Sequence, residues 1–184
     1  IGPEDGKQII VKNGWEGLFE NGDFYIESGF PKFKNSYCSN FQIKNIHIKC
    51  LKDDGLIGSL AQSGGAIGRS HFVGVNPPII ENQTNIIENC SFKGNIGESA
   101  GGICGASCAK DNGNVIIQNC YSKGNIEGEG AGGICGMECG WYYSNVTIQN
   151  CYSKGNIEGE GAGGICGSFC GKQNGNVTIQ NRSE

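Results

Sequence analysis

IIQNCYSKGNIEGEGAGGICGMECGWYYSNV, from Ile116 to Val146, is followed directly by TIQNCYSKGNIEGEGAGGICGSFCGKQNGNV, from Thr147 to Val177. Each copy has 31 residues, and 24 of the 31 positions are identical. An earlier copy, from Ile86 to Val115, is one residue shorter, and a fourth copy begins at Thr178. Self-similarity at a fixed period of this length indicates that each copy is one structural unit, which buries its apolar face by stacking on its neighbours.

The composition of the unit predicts strands. Short runs of Ile, Val, Thr and aromatic residues end at Asn-Gly or Gly-Gly, and the chain has 33 Gly but only 4 Pro. The unit is too short for a four-stranded propeller blade, which needs about 40–45 residues. We therefore predict an all-β fold, a right-handed β-solenoid (β-helix) with Gly-rich coils of about 31 residues. Val146, Ile148, Ile126, Ala131 and Ile134 are expected to point inward.

The chain divides into three predicted parts. Residues 1–40 are a cap or a divergent first coil, and residues 41–85 are divergent coils with a loop at Pro77-Pro78. Residues 86–184 hold the regular repeats, at 86–115, 116–146, 147–177 and a partial copy at 178–181. In the divergent part, Asn45 aligns with the Asn of the later copies, and both Gly55–Gly58 and Gly64–Gly68 resemble their Gly-Gly-Ile-Cys-Gly.

Stacked coils place equivalent residues in columns. One predicted column is an interior ladder of asparagines, whose amides hydrogen-bond from coil to coil: Asn89, Asn119, Asn150 and Asn181.

Eleven cysteines indicate disulfides in an oxidising compartment, or metal sites in a reducing one. Three Cys-x-x-x-Cys pairs are disulfide candidates, with buried free thiols or metal ligation as alternatives, and no metal site is predicted: Cys104/Cys108, Cys135/Cys139 and Cys166/Cys170. Cys38 and Cys50 form a further candidate pair. The column Cys90, Cys120, Cys151 is buried and unpaired, or pairs with the second column. Since eleven is odd, at least one thiol is free or intermolecular.

The run Asn-Cys-Tyr-Ser-Lys-Gly-Asn-Ile followed by Gly-Ala-Gly-Gly-Ile-Cys-Gly resembles the GLUG-type repeat of bacterial surface adhesins and secreted proteins, with similar arrays in protists and large DNA viruses. The resemblance covers residues 86–181 well and 41–75 loosely. It departs from the family pattern by placing Cys where Ser and Val are more usual. It implies a surface-displayed β-solenoid and no catalytic residues.

Several function classes are disfavoured. A net charge of −4 gives no basic footprint for nucleic acid, and no apolar run is long enough for a membrane span. Gly128–Gly133 has the spacing of a dinucleotide fingerprint but recurs with the repeat and lacks a βαβ context, so no cofactor is predicted. Glu127 and Glu129, with Glu158 and Glu160, predict a solvated acidic edge. The gathered charges of Lys52, Asp53, Asp54 and Arg69, with His47 and His71 nearby, leave a polysaccharide-acting enzyme only as a remote alternative.

Two further features concern the surface. Asn82, Asn145 and Asn176 lie in N-x-S/T sequons and are candidate glycosylation sites, whereas Asn89, placed in the interior ladder, is expected to stay bare. Trp141, Tyr142 and Tyr143 occupy a variable loop of one coil only. They either contact a sugar or protein, or cover a local apolar patch.

The sequence thus predicts a structural, non-catalytic repeat protein at an extracellular, cell-surface or virion-surface location. It is expected to be a subunit of a fibre, filament or coat, with other copies of itself as partners. The sequence stops inside a repeat without an evident cap, and an uncapped solenoid end invites association. The alternative is an adhesin module that binds a glycan or receptor through its variable loops.

Overall fold

In a computed structural model of the chain, the described residues are 9–11, 17–26, 33–35, 41–50, 56–57, 84–109 and 113–181. All regular structure among them is β-strand, with no helix. The strands are β1 Ile9–Val11, β2 Gly17–Ile26, β3 Phe33–Asn35, β4 Phe41–Cys50, β5 Leu56–Ile57, β6 Asn85–Glu88, β7 Ser91–Lys93, β8 Asn95–Ile96, β9 Asn114–Gln118, β10 Tyr121–Lys123, β11 Asn145–Gln149, β12 Tyr152–Lys154 and β13 Asn176–Gln180.

Strands from successive copies stack side by side in one large parallel sheet. Its order is β12-β10-β7-β4-β6-β9-β11-β13, with β2 also paired to β4. The register joins Ile117 to Ile148 and Ile148 to Ile179, so each residue lies beside its equivalent in the next copy. The all-β prediction is confirmed, and the parallel stack is consistent with a β-solenoid.

The divergent N-terminal part contributes to the same stack. β2 pairs Gly17 with Phe41 of β4, so the segment predicted as a cap or first coil contains a strand of the sheet. β4 bends at Asn45, whose φ is 52°. Before the bend β4 pairs with β6, and after it with β7, as the two halves of one coil. The alignment of Asn45 with the later asparagines is therefore confirmed.

One alignment in this part is wrong. Leu56 and Ile57 pair with Asn95 and Ile96, not with the Gly-Gly-Ile-Cys-Gly segment. An apolar dipeptide between glycines fits two positions of the coil, because both are short strands flanked by turns. Gly64–Gly68 and the Pro77-Pro78 loop lie outside the described residues.

The core follows from strand alternation. In β11, Val146 and Ile148 are buried while Thr147 and Gln149 are partly exposed. The turns add Ile126, Ala131 and Ile134, which are also buried, as predicted. Stacking repeats these positions, so the core is a set of aliphatic columns. Each fully buried Ile contributes roughly 1.5–3 kcal/mol to folding.

The Gly-Gly step lets opposite walls of the coil approach closely. An ideal Cβ built on Gly133 would lie 2.1 Å from the carbonyl oxygen of Gly164 and 2.4 Å from Cβ of Ser153. Ser153 Oγ in turn donates a hydrogen bond to the Gly164 carbonyl. No side chain larger than hydrogen fits at Gly133, because the next coil occupies that space.

The last described coil has no neighbour on its outer side. Ile157 and Ile179 are 53% and 48% exposed. Their equivalents one coil earlier, Ile126 and Ile148, are 1% and 0% exposed. An ideal Cβ on Gly164 meets nothing closer than Cδ1 of Ile157, at 3.7 Å. The same sequence position is thus crowded inside the stack and open on its last coil.

This contrast gives a matched pair of substitutions. Gly133→Ala forces a Cβ into backbone atoms of the next coil and is expected to destabilise the fold by about 3 kcal/mol, the upper end of ordinary overpacking costs. Gly164→Ala, its repeat equivalent, is expected to change stability by less than about 0.5 kcal/mol. Urea unfolding of both variants in reducing buffer measures the difference. Equal losses at the two positions would show that the coils do not stack in this register.

Candidate functional site

The three Cys-x-x-x-Cys pairs come together as one buried cluster. Cys104, Cys135 and Cys166 are direct neighbours across three parallel coils. The second cysteine of each pair lies back against the first, so that Cys108 is in hydrogen-bonding contact with both Cys104 and Cys139. The members from the first two coils are fully buried, whereas Cys166 and Cys170 are only partly buried. The cluster therefore opens toward solvent at the last coil.

The nine described cysteines are free thiols in the structure, so the disulfides predicted within each coil are not formed in it. The sulfurs instead hydrogen-bond to one another and to backbone carbonyls. Cys170 Sγ, for example, lies 3.2 Å from the Gly167 oxygen. This arrangement is the alternative of buried thiols that act as small apolar residues. Disulfide pairing of the oxidised protein stays a prediction, and Cys38 and the side chain of Cys50 lie outside the described residues.

The thiols of the cluster do not titrate alike. Hydrogen bonds from Cys139 and Cys166 lower the pKa of Cys170 to about 4, against the burial that raises it. Hydrogen bonds from Cys104 and Cys139 likewise lower the pKa of Cys108. Hydrogen bonds with Cys108, Cys135 and Cys170 raise the pKa of Cys139, and burial raises it further. Neighbouring S–H groups thus favour a thiolate at Cys108 and at Cys170, whereas in the middle pair the pKa values of both Cys135 and Cys139 are raised.

The third cysteine column is formed by the cysteines that come directly after the asparagine at the coil corner. Cys90, Cys120 and Cys151 are all buried, and each thiol points at the carbonyl two residues before it. The sulfur-to-oxygen distance is 3.2 Å in all three coils. The prediction of a buried, unpaired column agrees with this geometry.

The asparagine ladder exists, but it lies on the surface. Asn150 Nδ2 donates to Asn119 Oδ1 at 3.3 Å, and Asn89 Nδ2 donates to Asn45 Oδ1 at the same distance. The ladder also extends to Asn21, which accepts from Asn45 at 2.9 Å. At the other end of the stack, the Cys151 N–H donates to Asn181 Oδ1, and Asn181 Nδ2 donates to the Cys151 carbonyl oxygen.

The predicted interior position of this ladder is wrong. Asn89, Asn119, Asn150 and Asn181 are all exposed. The first three have φ between 50° and 54°, the left-handed region that Asn tolerates better than most residues. The coil corner requires that conformation, and this requirement explains why Asn recurs there. Burial therefore gives no reason for Asn89 to stay unmodified.

A second amide ladder coincides with the candidate glycosylation sites. Asn145 and Asn176 are exposed, as expected of sequons, while Asn82 lies outside the described residues. Asn145 Nδ2, the atom to which a glycan would attach, donates to Asn114 Oδ1 at 2.9 Å. A glycan at Asn145 would remove one of the two donor hydrogens of this amide.

The two tyrosines of the aromatic loop are exposed, and the loop backbone is bonded to the next coil. Tyr142 and Tyr143 are 46% and 56% exposed, with their rings edge-to-face at 5.4 Å between centroids. Their backbone N–H groups donate to Lys172 and Gln173 of the next coil. Trp141 is only partly exposed. Of the two interpretations, the two tyrosines fit a contact surface, whereas Trp141 lies against the protein.

The remaining candidate residues form no recognisable catalytic arrangement within the described part of the chain. Glu127 Oε1 accepts a hydrogen bond from Asn95 Nδ2 at 2.7 Å, so this carboxylate is bridged by an amide. Lys52, Asp53, Asp54, Arg69 and His71 lie outside the described residues. In the described part of the chain, no three or more His, Cys, Asp or Glu side chains are arranged to hold a metal ion, and no helix could cross a membrane.

Comparison of the chain with protein-family models, curated proteins and solved structures finds no match. The resemblance to GLUG-type repeats thus rests on the repeat motif itself.

Sequence reasoning missed one set of exposed side chains. The Lys that precedes the corner glycine stacks on its equivalent in the next coil, and Lys123 lies beside both Lys93 and Lys154. The signal was present, because a residue type repeated at one position of a solenoid must form a column. The net charge of the chain does not reveal this column, because it averages over residues about 30 positions apart.

The opening of the cysteine cluster predicts an order of reactivity. Cys170 combines partial exposure with a lowered pKa, and Cys166 shares its exposure. During brief alkylation of the native, reduced protein, Cys170 is expected to be labelled first and Cys166 next. The seven buried cysteines of the described part should react only on unfolding. Peptide mass spectrometry reads the order, and uniform labelling of all three columns would contradict the buried cluster.

Proposed function

We propose that this chain is a structural, non-catalytic repeat protein: a right-handed β-solenoid with coils of about 31 residues that serves as a subunit of an extracellular or surface fibre, filament or coat. The proposal is supported by the repeated interface between coils, the register of the parallel strands and the resemblance to surface-displayed repeats. Right-handed connection between parallel strands is the general rule.

The observation that carries the proposal is that the interface between coils is complementary to itself under translation. β13 pairs with one edge of β11 in parallel, and the two strands have the same sequence, NVTIQ. An interface that maps a unit onto the next by translation does not close on itself. Such head-to-tail contacts generate open filaments.

The outer side of the last described coil has the apolar surface that other coils of the stack cover. It presents Ile157 and Ile179 at positions that are buried wherever a coil follows. The N–H and C=O groups of the open strand edges can bond only a strand that lies in the right orientation, so they fix the direction in which a partner strand pairs. In this proposal, a second copy of this chain covers the outer surface of the last described coil.

Substitution of Gly164 tests this proposal without weakening the fold. A side chain at Gly164 has room within its own chain, but it would project into the place where the backbone of a following coil lies, as at Gly133. Gly164→Val is therefore expected to abolish filaments or higher oligomers formed by the full chain, with unfolding stability unchanged. Negative-stain microscopy and sedimentation velocity over a range of concentrations provide the measurement.

The matched control is Glu129→Val, which changes an exposed side chain in the middle of the stack. It should assemble like the unmodified protein. The proposal fails if the unmodified chain is a monomer at all concentrations, or if Gly164→Val assembles normally.

A second function, an adhesin that binds a glycan or receptor through a variable loop, is favoured by the exposed Tyr142–Tyr143 pair. The loop backbone is bonded to the next coil and the two rings pack edge-to-face, so both rings are presented together on the surface. Tyrosines with an apolar ring and a polar tip are enriched at such contact surfaces.

The double variant Tyr142→Ser/Tyr143→Ser tests this function on a glycan array and with cell-surface extracts. Loss of at least about 2 kcal/mol of binding free energy is expected if these rings are binding hot spots. Phe169→Ser is the control, since Phe169 is similarly exposed, at 52%, but lies in the loop of the next coil. Binding that survives the double variant rules out this loop.

A further inference from the structure

A column of four lysines runs across the sheet face formed by β4, β7, β10 and β12. The strand register places Lys49 beside Lys93, Lys93 beside Lys123, and Lys123 beside Lys154. Neighbouring parallel strands are about 4.8 Å apart, so the positions of the four ammonium groups repeat at about that interval. We call this set the lysine column.

The positive charges of the lysine column are not neutralised within the described part of the protein. All four side chains are exposed. Among the described residues the ion pair found is Lys44 with Glu88, which lies on β4 and β6 before the bend. Lys123 Nζ instead lies 5.1 Å from the ring centroid of Tyr121. Four like charges in a row repel one another, and an anionic ligand would relieve that repulsion.

A groove runs beside the lysine column and supplies polar and aromatic groups. It has a volume of about 280 Å³ and is lined by residues of β2, β4, β7 and β10, including the first three lysines of the column. Within it, His47 Nδ1 and Ser91 Oγ are hydrogen-bonded at 2.7 Å. Next along the column, the rings of Tyr121 and Tyr152 stack at 5.3 Å. The outer face of the Tyr152 ring is available for contact.

Acidic side chains confine the basic surface to a narrow strip. Asp23 lies at the β2 end of the groove. Glu127 and Glu158 are exposed four residues beyond Lys123 and Lys154, past the glycine corner, and the whole chain has a net charge of −4. A broad polyanion would meet this acidic edge, whereas a single extended chain could lie along the column.

We propose that the lysine column and its groove form a binding site for a linear anionic polysaccharide, a glycan with roughly one carboxylate or sulfate group per sugar ring. The ammonium groups pair with the anionic groups. His47, Ser91 and the tyrosine hydroxyls bond sugar hydroxyls, and the aromatic stack packs against a ring. This site is on a different face from the Tyr142–Tyr143 loop and does not depend on filament formation.

Charge density distinguishes this ligand from nucleic acid. Duplex DNA carries one charge per about 1.7 Å of axis, several times denser than one ammonium per about 4.8 Å. A strip one lysine wide would leave most phosphates uncompensated and would hold the rest beside Glu127 and Glu158. A polysaccharide with sparse charges matches the column without that repulsion.

The test measures binding of the full chain to size-defined oligogalacturonates, which carry one carboxylate per sugar ring, by calorimetry at several salt concentrations. Lys93→Gln/Lys123→Gln removes the two central charges. Lys44→Gln/Lys172→Gln removes the same charge from positions off the column and serves as the matched control. Both pairs are exposed or partly exposed, so both variants are expected to fold, and circular dichroism checks this.

The unmodified chain is expected to lose on the order of 10- to 100-fold in affinity between 50 and 200 mM salt. The column variant should bind at least about tenfold more weakly at low salt, and its salt slope should fall by about 2, or about 1 per lysine removed. The control should stay within about twofold in affinity.

Three results would overturn the proposal. The first is no measurable binding of the oligosaccharides at low salt. The second is an equal loss of affinity in the control variant, which would indicate a non-specific charge effect. The third is tighter binding of a single-stranded oligonucleotide, or of vesicles with anionic lipids, than of the oligosaccharide, which would assign the column to another class of ligand.

Discussion

The hydrogen bonds that hold this protein together run between coils rather than within them. Asn119 donates to Gln149, Gly124 to Lys154 and Gly133 to Gly163. A single coil satisfies few of its own backbone groups, so its fold depends on a neighbour in the correct register. The Gly-Gly step enforces that register, because only glycine allows the wall of one coil to approach the backbone of the next. Columns of identical residues are a consequence of this constraint.

The same constraint explains which residues recur. Positions that point inward alternate with surface positions, which gives the aliphatic core around Ile117 and Ile148. Corners that need a left-handed backbone select Asn, and the exposed amides then bond along the stack. Thiols are small enough to fill the narrow part of the coil and satisfy their S–H groups on nearby carbonyls. Functional surfaces in such a protein are therefore expected as columns or as the variable loops between them.

Much of this could be predicted from the sequence, for physical reasons. A near-identical repeat fixes which residues become neighbours, so the strand columns and even the alignment of Asn45 followed from it. Three features did not follow. Whether the Asn column faces the interior or the solvent depends on the backbone conformation of the corner, and the sequence around Asn89 does not reveal it. Leu56-Ile57 matched two short strands equally well. The lysine column was hidden because an overall charge of −4 averages over faces of opposite sign.

The central claim is that residues one repeat apart are direct hydrogen-bonding partners across parallel coils. NMR couplings through hydrogen bonds, between amide nitrogen and carbonyl carbon, test it most directly in the perdeuterated, reduced chain. The structure predicts correlations from the Asn119 amide to the Gln149 carbonyl and from the Gly133 amide to the Gly163 carbonyl. Correlations shifted by one or more residues, or confined within a single repeat, would contradict the stacked register and with it the filament interface and the lysine column.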